Sequence, residues 1–99
     1  MIFYLDAQNG VIADEIISIG NVNRTAVFPL EIVKKALEHQ AASLIIVHNH
    51  PSPSTKPSDA DIIVTRRIRD ALALVDIALH DYLIFTSNNV SSMKALNLL

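Results

Sequence analysis

Ninety-nine residues make one small domain, and with 51% of them hydrophobic they suffice for one compact core. Eight basic side chains against ten acidic ones, a net charge of −2, exclude a general electrostatic attraction to nucleic acid. The absence of cysteine excludes disulfides and thiolate ligands, so any metal must be held by histidine and carboxylate.

In chain order, Ile2 to Leu5 predicts a strand. Ala7-Gln8-Asn9-Gly10 is turn material, and Asn-Gly signals a tight hairpin because both residues tolerate positive φ. Val11 to Ile19 returns as a second strand, interrupted by Asp14 and Glu15, and Gly20 to Thr25 is a loop. Pro29 suits the first turn of a helix, and Ile32, Val33, Ala36, Leu37 and Ala41 follow at helical spacing. Ser43 to Val47 reads as a strand whose apolar run is typical of cover on both faces. It leads directly into His48-Asn49-His50.

Pro51 to Pro57 is a loop stiffened by its prolines. A second helix is expected from Ser58 to about Val75, with Ile62, Ile63, Leu72 and Val75 facing the core. Ile77 to Phe85 predicts a strand, Asn88-Asn89 a turn, and Ser92 to Leu96 a short helical turn. This order predicts an α/β fold, a mixed sheet flanked by helices and opened by an antiparallel hairpin. The apolar stretches are strand-sized and no signal peptide is apparent, so a cytoplasmic location is expected.

The pattern with most chemical content is His48-x-His50, followed by Ser58 and Asp61. On an extended strand, residues two apart point to the same side, so both imidazoles share one face. Asp61 supplies a third ligand from the first turn of the second helix. Two histidines and one carboxylate leave a fourth position for water, the arrangement of a catalytic zinc site. Ser58 can hydrogen-bond an oxyanion or the metal water, and it can equally cap the helix in a box with Asp61. A bound water needs a proton acceptor. Glu15 is the candidate, but Asp14 is adjacent and points to the opposite face, so spacing does not choose between them. His39 reads as a solvent-facing or C-terminal helix histidine, late in the first helix. His80 and Asp81 read as structural, and Arg66, Arg67 and Arg69 as a solvated or salt-bridging helix face.

The spacing His48-x-His50, seven residues, Ser58, two residues, Asp61 resembles the metal motif of the JAB/MPN metalloenzyme family. More narrowly, His48 to Ser52 with Pro57 to Asp61 is similar to the bacterial RadC-like branch, whose second-strand glutamate falls on Glu15. The resemblance covers essentially the whole chain. It implies a three-layer α/β/α domain binding zinc (Zn2+) through His48, His50 and Asp61. Glu15 is then the general base and Ser58 the oxyanion support. Relatives of this kind are zinc-dependent peptidases or isopeptidases, several acting on ubiquitin-like tails. The chain has Pro53 where that branch has glycine and Tyr82 where it has histidine, and nothing in it corresponds to an N-terminal helix-hairpin-helix region.

The expectation is therefore one domain over residues 1–99 acting as a zinc hydrolase on a peptide or protein substrate. The alternative is a DNA-repair-associated accessory domain with a mainly structural zinc, its nucleic-acid contact supplied by Arg66, Arg67 and Arg69. Self-association into a homo-oligomer through an exposed strand edge is a further expectation.

Overall fold

In a computed structural model, residues 1–16, 28–50 and 54–99 are described. They form β1 (Ile2–Leu5), β2 (Val11–Glu15), α1 (Phe28–Glu38), β3 (Ser43–Asn49), α2 (Asp59–Ala73), β4 (Ala78–Phe85) and β5 (Val90–Ser92). One sheet runs β2-β1-β3-β4-β5, with β3 and β4 parallel and the other neighbouring pairs antiparallel. The α/β class and the mixed sheet opened by a hairpin are as expected. The strand β5 is an addition; the tail turns only beyond it, where the Leu96 amide donates to the Ser92 carbonyl. No described helix is long and apolar enough to cross a membrane.

The opening hairpin is looser than a two-residue turn. Asp6 organises it: its Oδ1 accepts from the Gln8 and Gly10 amides, and its carbonyl accepts from Asn9. Asn9 alone takes the left-handed conformation, at φ 64°. Gly10 matters for a different reason, since a Cβ there would stand 3.0 Å from the Asp6 carboxylate.

Connection handedness explains the layering. Both β2 and β3 run antiparallel to β1, so they are parallel to each other. The β2-α1-β3 and β3-α2-β4 connections both step the same way across the sheet. Such crossovers are almost always right-handed, which puts both helices on one face. There α1 and α2 pack on each other and bury Ile32, Ala36, Val64, Ile68 and Leu72 against Ile2, Tyr4, Leu44, Ile46 and Ile84. Phe3, Ile45, Val47, Leu83 and Phe85 point the other way and are only half-buried. The expected third layer is therefore not built by the described residues. The apolar run of β3 reflects one buried face and one half-covered face, not cover on both.

Several expected core positions are corrected. Leu37 is 51% exposed, Ile63 49% and Val75 36%. In α2 the buried positions are Asp61, Val64, Thr65, Ile68 and Leu72. Asp61 faces the sheet, so at about 100° per residue Ile63 points away from it. Two polar side chains took the inward places that an apolar pattern assigns to isoleucine. Residues 17–27 and 51–53, including the end of the expected second strand and Pro53, lie outside the described residues.

Candidate metal centre

The residues His48 and His50 stand at the C-terminal end of β3, where a rigid strand meets a loop. The His50 amide still donates to the Phe85 carbonyl, at 2.8 Å, so the ladder continues under the pair. Strand alternation puts both imidazoles on the helix-covered face, with ring centroids 5.6 Å apart and edge-on. Asp61, only 6% exposed, reaches them from the first turn of α2. Its placement follows from the capping box. Asp61 N donates to Ser58 Oγ at 3.1 Å, and Ser58 N donates to Asp61 Oδ2 at 3.0 Å. The buried Thr65 hydroxyl donates to the Asp61 carbonyl at 2.6 Å and steadies the same turn.

This brings together the three side chains that the motif selects. His48 Nδ1 lies 3.9 Å from Asp61 Oδ1, and His50 Nε2 lies 3.5 Å from Asp61 Oδ2. Donors on a tetrahedral zinc are separated by roughly 3.3 Å, given bonds of about 2.0 to 2.1 Å. The His50–Asp61 edge matches that separation and the His48–Asp61 edge is longer. Among the described residues, no three histidine or carboxylate side chains close on one point as a ready metal group. Backbone and donor chemistry fit a zinc ion, then, while the three donors as placed do not yet converge. One further observation bears on the fit: His50 Nδ1 is buried without a hydrogen-bond partner among the described residues. A buried imidazole nitrogen left in that state is costly unless something else satisfies it.

The register also separates the two acidic candidates on β2. Glu15 pairs with Ile2, which pairs with Ile46, two residues before His48; Asp14 pairs with Phe3. Glu15 therefore shares the face of the two histidines and Asp14 does not. Its carboxylate is engaged elsewhere. The Tyr4 hydroxyl donates to Oε1 at 2.5 Å, His39 Nε2 is 3.2 Å from the same oxygen, and Lys35 Nζ is 4.0 Å from Oε2. The Tyr4 hydrogen bond, aided by His39 and Lys35, holds the Glu15 carboxyl below the usual carboxylate range. Burial, then the adjacent Glu15, push the Tyr4 phenol up, so it stays a donor. His39, which directly follows the end of α1 and is half-buried, lays its ring on Tyr4 with centroids 4.2 Å apart.

Ser58, Asp81, Arg66 and Arg69 make contacts of their own. Ser58 caps α2. In β4, the pairing with β3 jumps from Leu79 to Asp81, leaving His80 as the extra residue of a bulge. Asp81 ties down the C-terminal segment, accepting from the Ser92 hydroxyl and the Lys94 amide. Arg66 Nε donates to the Leu98 carbonyl, and Arg69 pairs with its neighbour Asp70. One neighbour of the site was not anticipated. Because of the bulge, Leu79 and Tyr82 both face the helices, and the Tyr82 hydroxyl comes to 3.3 Å from His48 Nδ1. In sequence, position 82 stands out only as the tyrosine that replaces the branch's histidine; its contact was not legible, since an unbroken alternation would place Leu79 and Tyr82 on opposite faces.

A mixed sheet with two crossover helices, and a His-x-His strand end facing a helix-borne aspartate, define an α/β domain of the JAB type. The chain belongs to the RadC-like JAB domain family, whose model matches residues 1–98. It is 50% identical over 91 residues to a UPF0758 protein of Vibrio atlanticus, covering 92% of this chain and 41% of that protein. It is 46% identical over 98 residues to the UPF0758 protein YeeS of Escherichia coli K12, covering 99% of this chain and 66% of that protein. The chain thus spans between 41% and 66% of the length of these two relatives.

Proposed function

We propose that this domain is a metal-dependent hydrolase of peptide or isopeptide bonds, with His48, His50 and Asp61 holding a zinc ion. The observation that carries this reading is the approach of both imidazoles to one buried carboxylate, across a strand end and a helix start. Zinc in such a site polarises a carbonyl and lowers the pKa of a bound water.

The chain's own groups divide the remaining work. The buried Asp61 carboxylate balances the charge of a cation, and the cap fixes its direction. Glu15 accepts a proton from the attacking water and returns it to the leaving nitrogen. By strand spacing and rise, its Cα stands about 12 Å from that of His48. A glutamate, a histidine and one water or carbonyl span such a gap once Glu15 turns from Tyr4 and His39. The Ser58 oxygen accepts from the helix amide, which leaves its hydrogen free to be donated to a developing oxyanion.

The test is a screen of peptide and isopeptide substrates with zinc-loaded protein. Turnover that is lost in chelator and in Glu15→Gln, with zinc retained by that variant, is the expected result. Turnover unaffected by Glu15→Gln removes the residue as base. Salt-dependent DNA binding that requires Arg66, Arg67 and Arg69 would favour the accessory reading instead.

A further inference from the structure

We propose that Tyr4 and His39 latch Glu15 away from the metal centre, so that the domain rests with its base withdrawn. The inference rests on the hydrolase reading above and concerns the regulation of that same site. The Tyr4 hydroxyl donates to Glu15 Oε1 at 2.5 Å, and His39 Nε2 lies 3.2 Å from the same oxygen. Tyr4 is fully buried, and the His39 ring packs on its phenol. Lys35 Nζ stands 4.0 Å from Oε2, the other carboxylate oxygen. Hydrogen bonds to an ionised carboxylate are roughly twice as strong as neutral ones, so the Tyr4 contact is the main fastening.

The strand register gives the direction of the pull. Glu15 is level with Ile2 and Ile46. His48 stands two residues beyond Ile46, toward the C-terminal end of β3, whereas Tyr4 is level with Leu44, two residues the other way. Lys35 and His39 come from the last turn and the end of α1. The link from α1 to β3 is pinned at that same end of the sheet, where the Ala42 amide donates to the Leu5 carbonyl. The level of Tyr4 and that of His48 are about 13 Å apart along the strand. Glu15, midway between them, can bend to one side or the other, and its contacts with Tyr4, His39 and Lys35 all bend it away from the histidines.

The experiment pairs two readouts on the unsubstituted protein and Tyr4→Phe, a variant that keeps the buried ring. Side-chain scalar couplings and nuclear Overhauser contacts report where Glu15 rests, in metal-free protein and after addition of zinc chloride alone. The expected result is a single Glu15 rotamer in contact with the Tyr4 and His39 rings in the unsubstituted protein, and rotamer averaging in Tyr4→Phe. With the peptide or isopeptide turned over in the screen above, kcat of the zinc-loaded variant should rise by about 10-fold with KM unchanged, as loss of one hydrogen bond to a charged group implies. A purely structural Tyr4 would lower kcat or leave it alone. Averaged Glu15 couplings in the unsubstituted protein overturn the latch, and so does a kcat that does not rise in a variant that still binds zinc. If the unsubstituted protein takes up no zinc or turns nothing over, the hydrolase reading fails by itself, and the couplings alone then decide whether Tyr4 and His39 hold Glu15.

Discussion

At the scale of single residues, Glu15 has a structural role beside the proposed catalytic one. Its bonds to Tyr4 and His39 hold it ionised, and a base must leave them to work. Its folded pKa is depressed, chiefly by the Tyr4 hydroxyl. Such a group adds stability that is present above the unfolded pKa, near 4.3, and is lost as pH falls through the folded value. Tyr4→Phe should therefore cost roughly 1.5 to 3 kcal/mol at neutral pH, the range for a hydrogen bond to a charged group. The difference should shrink as pH falls below about 4. Urea midpoints measured from neutral to acid pH check this; a gap that does not change with pH would mean the hydroxyl acts by packing alone. The meeting of His48, His50 and Asp61 was legible in the sequence because alternation and helix geometry are local rules. Tyr4, His39 and Tyr82 were not, because they meet their partners through strand register and a bulge.

At the scale of elements, α2 is anchored at its first turn. Ser58→Ala removes the cap and should cost about 1 kcal/mol, lowering Tm by about 4–8 °C in a domain of this size. Ser58→Asn keeps a capping acceptor and should recover most of that loss. Turnover that follows the cap, recovering in Ser58→Asn, would assign Ser58 to structure. Turnover that requires the hydroxyl would assign it to oxyanion support. The burial phase of the helix gives a second check by thermal denaturation. Ile68→Ala, at a fully buried site, should cost about 2–5 kcal/mol, whereas the half-exposed Ile63 should tolerate alanine within about 0.5 kcal/mol. The start of α2 was legible from Ser58 and Asp61. Its inner face was not, because apolar periodicity cannot anticipate that Asp61 and Thr65 turn inward and set the phase.

At the scale of the whole molecule, two crossovers of the same hand put every described helix on one side of the sheet, and the histidine pair with them. The other side keeps Phe3, Ile45, Val47, Leu83 and Phe85 half-buried. Apolar content alone did not distinguish these residues from a covered second face. Threonine at Ile46, which is 4% exposed, should therefore lower Tm more than threonine at Ile45, its neighbour on the opposite face. Equal effects would show that both faces carry the core.

The central claim, that His48, His50 and Asp61 form a metal site, is tested most directly by metal content. Zinc should be measured in protein purified without added metal and after titration, beside His48→Ala and Asp61→Asn, the latter chosen because an amide still caps α2. About one zinc per chain, lost or much weakened in both variants, is the predicted result. No uptake by the unsubstituted protein, or equal uptake by all three, would contradict it.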